Sequence, residues 1–311
     1  MSRLSSAAAA IACGAAGGCL YLAVMLGTPG ALILVYMTQL PLFLAGLWLG
    51  AGAAALAGLT GIFVLLAASD LLGAALFAAL NAAPVALLVR QALLARRRSD
   101  GTLAWYPLGA LTAWLTVFAL AGIAVAILLL GGPHGLRSAL QSVIGEGLDR
   151  LARRPLPNRD QVAETLAMVI PGIFAASWMI MVVANGALAQ GVLARFGASW
   201  RPSPDLAGLG LPPWMPLALG VAAAATLFDG TLRFLGINTM ITLSVPFCLA
   251  GLAVLHLAVR RLSHPAIALV SFYTLAGLFA WPFLAAAILG LLESAFGLRH
   301  RLLPRGVSID G

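Results

Sequence analysis

Seven polar residues stand out against an otherwise apolar chain: Gln39, Asp70, Asn81, Asn185, Asp229, Arg233 and Asn238. Gln39, Asn81 and Asn185 are amides inside long apolar runs, and two of them have a proline nearby, Gln39 with Pro41 and Asn81 with Pro84. An amide carries two donors and an acceptor. Proline removes one backbone donor from a helix, so Pro41 leaves the carbonyl of Met37 without its usual partner. An amide beside such a loosened turn can contact a ligand, or it can bond across to a neighbouring helix. Interhelical bonds of the second kind contribute about 0.6 to 2 kcal/mol in a bilayer.

The charged candidates have plainer readings beside the functional ones. Asp70 is the sole charge between Arg3 and Arg90, directly before Leu71-Leu72-Gly73. That position suits a helix N-cap, where the carboxylate accepts backbone N–H bonds at the positive end of the helix; a ligand or cation contact would be an additional role. In LFDGTLRFLGIN, residues 227–238, Asp229 and Arg233 are four apart and come within reach if the turn is helical. Asn238 then resembles the N-cap of the helix that follows. A surface ion pair in a hairpin turn is the bland alternative.

The sequence contains no HExxH, nucleophile elbow, phosphate-binding loop or paired-acid helix motif. Cys13, Cys19 and Cys248 form no close pair and have no histidine cluster beside them. The chain therefore reads as a non-enzyme with neither metal nor cofactor. Its net charge of +8 comes from arginine alone, scattered over loops. That distribution argues against nucleic acid and for anionic lipid headgroups.

The elements that position these residues follow from composition. A chain of 311 residues that is 62% hydrophobic and 9% charged cannot coat a soluble globule. Continuous apolar runs without strand alternation predict an all-α polytopic transmembrane bundle. Charge punctuation predicts about nine spans, at 7–26, 31–49, 52–69, 71–94, 104–130, 162–190, 213–229, 238–259 and 265–292, with an eight-span version as the alternative. Very short turns at Gly27-Thr28-Pro29-Gly30, Gly50-Ala51-Gly52 and Asp70 make the first four spans antiparallel neighbours. Gly46, Gly50 and Gly58 divide between close helix packing and turning, as Gly50 and Gly52 have the spacing of a tight turn.

Arg3 and the Arg90, Arg96, Arg97, Arg98 cluster are separated by four spans, which places both, and the N-terminus, on the cytoplasmic side. Arginines in the second half divide evenly, so the side of the C-terminus stays open. On this topology Asp70, Asp229, Arg233, Asn238 and the segment 132–160 share the outward face. Within that segment Leu136, Leu140, Ile144, Leu148 and Leu151 recur at helical spacing among charged residues, ending at Pro155 and Pro157. It reads as an amphipathic helix, lying on the membrane surface or lidding the bundle.

The blocks QLPLFLAGLWLGAGAAALAGL, NTMITLSVPFCLAGLAVLHLAVRRL and LAAAILGLLESAFGLRHRL resemble the YybS-like family of bacterial multi-span membrane proteins. More distantly, the first six spans look like the substrate-binding S components of energy-coupling-factor importers. That likeness implies a bundle over 1–193; a three-helix extension over 194–298 departs from the S-component pattern, and a basic tail follows over 299–311. It also implies outer-face capture of a small molecule, and docking to a membrane-protein partner through an AxxxA face, matched here by Ala8, Ala12 and Ala16. The expectation is a bacterial inner-membrane protein that binds or helps move a small solute; the alternative is a scaffold for another membrane complex.

Overall fold

A computed structural model describes residues 3–151 and 157–299. The described chain is helical except for one small hairpin, in agreement with the all-α expectation. In order, the elements are α1 (Arg3–Leu22), α2 (Pro29–Tyr36), α3 (Gln39–Leu49), α4 (Ala51–Ala68), α5 (Leu71–Phe77) and α6 (Ala83–Ala92). Then come β1 (Ala95–Arg97), β2 (Leu103–Trp105), α7 (Leu108–Leu129), α8 (Gly132–Leu151), α9 (Arg159–Arg195), α10 (Trp214–Ala225), α11 (Thr231–Val259), α12 (Pro265–Leu278) and α13 (Trp281–Phe296).

Among the described residues seven helical stretches are long and apolar enough to cross a membrane, and eight if α12 and α13 form one broken span. Two of the nine expected spans differ from their outline. The stretch expected at 213–229 is α10, a helix of 12 residues. At 1.5 Å per residue it reaches about 18 Å, short of the roughly 30 Å hydrocarbon layer. The stretch expected at 265–292 bends by 118° between α12 and α13. Phe279 is extended there, and Pro282 sits in the first turn of α13, so Trp281-Pro282 starts a new helix inside the expected span. Phe63, Leu128, Leu129, Leu217 and Leu284 are exposed on these helices, which suits lipid contact and would be costly in water.

The chain forms two compact units. Among described residues, the first holds 3–111 and 180–208, and the second holds 112–151, 157–179 and 209–299. The 37-residue helix α9 contributes its first part to the second unit and its last part to the first.

In the first unit the early turns form as their residues require. Thr28 caps α2 by accepting from the Ala31 N–H, with Pro29 in the first turn. Gly50 joins α3 to α4 with φ +101, a conformation that disfavours a side chain. Asp70 caps α5, its Oδ1 accepting from the Gly73 N–H at 2.6 Å. Gly46 packs where a Cβ would meet Ala54 and Val89 within 2.9 Å, and Gly58 lies as closely on Ala82. α1 rests on α4 through Gly14 and Gly18, whereas Ala8, Ala12 and Ala16 are on its exposed side.

The second unit is centred on Met215, Leu243, Phe247 and Ala287, with Leu211, Leu219 and Leu291 packed around them. α8 is the expected amphipathic helix: Leu136 is buried, Leu140, Ile144 and Leu148 are half-buried, and Glu146, Asp149 and Arg150 are exposed. Pro155 lies outside the described residues, as does the basic tail from residue 300. Two ion pairs tie α8 to the first turns of α9, Arg137 with Glu164 and Arg159 with Asp149, the latter at 2.9 Å. The Arg159 guanidinium hydrogen-bonds Asp149 and holds its carboxyl below the usual carboxylate range. A lowered folded-state pKa makes this contribution present above the ordinary carboxylate pKa and lost as the pH falls below it. Amide exchange along α8 is therefore expected to speed up relative to α11 when the pH drops below about 4, the ordinary carboxylate value, and also when salt is raised to about 1 M at neutral pH. Unchanged α8 protection under both conditions would show that apolar packing alone holds it.

Candidate functional site

Three buried amides each meet a helix that proline has disturbed. In the first unit Pro41 cannot give Met37 its usual N–H, and the Leu40 N–H donates to the Met37 carbonyl instead, at 3.1 Å. In a continuous helix Leu40 would have served Tyr36. The Tyr36 carbonyl accepts from Asn185 Nδ2 at 2.7 Å. One hydrophobic stretch, 30–49, is thereby divided into α2 and α3 at Met37-Thr38.

The same logic recurs at Pro84. Its missing N–H would have served Leu80, and the Leu80 carbonyl accepts from Gln39 Nε2 at 3.0 Å. The backbone there widens into a π-turn over Ala78–Ala82, which carries the buried Asn81. Gln39 thus stabilises the neighbouring interrupted helix, while Asn185 stabilises the interruption beside Gln39.

Asn238 belongs to the second unit and differs from the N-cap expected of it. α11 begins at Thr231, after Gly230 turns the chain with φ +69, so Asn238 lies two turns inside the helix and is 1% exposed. Its Oδ1 accepts from the Gly172 N–H at 2.6 Å, and its Nδ2 donates to the Met168 carbonyl at 2.9 Å and the Phe234 carbonyl at 2.7 Å. Gly172 and Met168 are the two ends of one α-helical rung, immediately after Pro171, and the carboxamide bridges them. Gly172 allows this approach, because a Cβ would press on the Asn238 backbone at 3.0 Å.

The three amides are not equally satisfied. Asn238 uses its oxygen and both donor positions, as befits interhelical glue. Asn185 spends both donors, on Tyr36 and Met181, but its Oδ1 is buried with no hydrogen-bond partner in the protein. Gln39 Oε1 and Thr38 Oγ1 are buried and unpartnered in the same way. Both amide nitrogens face carbonyl oxygens, which fixes the amide orientation and leaves the oxygens as the unserved atoms. Thr38 and Gln39 are consecutive at the break between α2 and α3, and Asn185 is tied to that break through its bond to the Tyr36 carbonyl. Thr38 was absent from the sequence candidates: a lone threonine in an apolar run gives no signal until the break beside it is known.

The charged candidates are placed apart from this break in character. Asp70 is exposed and caps α5. Asp229 and Arg233 are exposed and form no ion pair with each other, since Asp229 precedes Gly230 and the helix begins only at Thr231. Arg201, unremarked in the sequence, is buried, donates to the Ala92 carbonyl at the end of α6, and has its pKa lowered by desolvation. Its own carbonyl accepts from Gln190 at 2.8 Å. Among the described residues no group of three or more His, Cys, Asp or Glu side chains is placed to hold a metal ion. Comparison with protein-family models, curated proteins and solved structures returned no match.

Proposed function

We propose that this is a bacterial inner-membrane protein that captures a small polar solute at the break between α2 and α3, as the binding component of a transport system. One observation carries the reading: the oxygens of Thr38, Gln39 and Asn185 are each buried without a hydrogen-bond partner in the protein. An unserved polar group in an apolar interior costs several kcal/mol. Interrupted helices are tolerated at membrane depth where protein surrounds them or where they line a cavity, and transporters place their sites at such interruptions. The resemblance of the early spans to S components points the same way. Ala8, Ala12 and Ala16, exposed on α1, are then available to the docking partner that this resemblance implies.

Thermal unfolding of the purified protein against a panel of vitamins and polar metabolites tests the proposal. A true ligand at a hundred times its Kd is expected to add about 2.7 kcal/mol of stability. Asn185→Leu should abolish that gain, and Asp229→Asn should leave it intact. If no compound stabilises the wild-type protein, the capture role is wrong.

A further inference from the structure

The geometry points to the cavity at the β1–β2 hairpin as a site for a phosphate monoester, carried either by a lipid headgroup or by a soluble molecule. This site is independent of the capture reading. The hairpin joins two stretches long and apolar enough to cross a membrane, Leu71–Ala92 and Leu108–Leu129, so it lies where both leave the hydrocarbon. Arg96, Arg98, Ala104, Trp105, Tyr106 and Pro107 line a cavity of about 380 Å³ there. Small-molecule sites start at about 300 Å³, so the space suits a headgroup-sized ligand.

Strand register decides which arginines reach it. Successive side chains of a strand point to opposite faces. Arg96 stands opposite Ala104 and shares its face with Arg98, whereas Arg97 stands opposite Leu103 on the other face and does not line the cavity. Ala104 is the small residue that leaves room beside Arg96. Backbone bonds fix this scaffold: the Arg98 N–H donates to the Thr102 carbonyl at 2.9 Å, and the Tyr106 N–H to the Leu94 carbonyl at 2.9 Å. Asp100, the one carboxylate between residues 93 and 107, is committed to the turn, accepting from the Thr102 N–H and hydroxyl. Arg96 forms no ion pair among the described residues. The cavity therefore presents a surplus of positive charge on two guanidiniums. Such forks match phosphate oxygens bidentately, and a monoester carries about −1.5 to −2 charge at neutral pH, close to the charge of the pair. Trp105 and Tyr106 suit the boundary between lipid and water at which such a group would arrive.

The test titrates the purified full chain in neutral detergent at about 0.15 M salt with inorganic phosphate, glycerol 3-phosphate and phosphatidic acid in turn, following Tm, with zwitterionic phosphatidylcholine as the blank. Saturable stabilisation by either soluble phosphate identifies a soluble phosphoester site, and saturation by phosphatidic acid alone a lipid site. Arg96→Gln should weaken the midpoint about tenfold, and Arg97→Gln, which removes the same charge from the opposite face, by less than about twofold. Both arginines are exposed, so neither substitution threatens the fold. Ala104→Leu fills the cavity with every arginine retained and should abolish saturation. Equal weakening by Arg96→Gln and Arg97→Gln would mean diffuse attraction to a basic surface and would overturn the assignment, as would the lack of a saturable response to all three phosphates.

Discussion

Gly251→Ala and Gly290→Ala are each expected to cost about 3 kcal/mol, the upper end for overpacking in a tight core. α11 and α13 cross with their backbones in direct contact: a Cβ on Gly251 would overlap the Ala286 carbonyl, and one on Gly290 would overlap the Phe247 carbonyl. Backbone cannot swing aside as a flexible side chain can, so the helices would have to separate. Ala286 and Gly290, four apart on α13, face Gly251 on α11, and small residues at such a crossing let membrane helices gain van der Waals contact and weak Cα–H···O bonds. Gly220 provides the control, since a Cβ on it meets nothing within 4 Å. Gly220→Ala should be neutral or stabilising by up to about 1 kcal/mol. Reversible unfolding in mixed micelles measures all three; equal effects would refute the close crossing.

Arg299→Leu is expected to cost about 3 to 5 kcal/mol, because it leaves the Glu293 carboxylate buried without its cation. The two side chains are 8% and 6% exposed. Arg299 Nε donates to Oε1 at 2.6 Å, and the Arg299 backbone N–H donates to Oε2 at 2.8 Å. Gly297, at φ +59, ends α13 and turns the chain so that Arg299 returns onto Glu293. Glu293→Met combined with Arg299→Leu should recover most of the loss, since neither partner then remains as an uncompensated charge. A double-mutant cycle checks this, and additive losses would show that the pair is not coupled.

The sequence made the polar candidates visible because each amide interrupts an apolar run, and Asp70 was legible as a cap from its position alone. What the amides bond to was not legible. Asn185 reaches Tyr36 across 149 residues and Asn238 reaches Met168 across 70, and no local pattern encodes such pairings. Proline proximity pointed to the correct helices with a misleading partnership: Gln39 was read with Pro41, yet it serves the carbonyl that Pro84 cannot. Asn238 looked like a cap because Asp229-Gly230 is a real turn signal, but helix propagation from Thr231 engulfed it. The strands β1 and β2 escaped notice, since three exposed residues in Ala95–Arg97 carry no alternation to read. Likewise Glu293 and Arg299 were parted by assigning Arg299 to a tail, when the glycine between them folds one back on the other.

The two ion pairs of α8 have a mechanical consequence. Arg137 and Asp149 are about 18 Å apart along α8, whereas their partners Glu164 and Arg159 are about 7.5 Å apart along α9. α8 is thus tethered to the first turns of α9 at two points, so that breaking either pair leaves the helix hinged on the other.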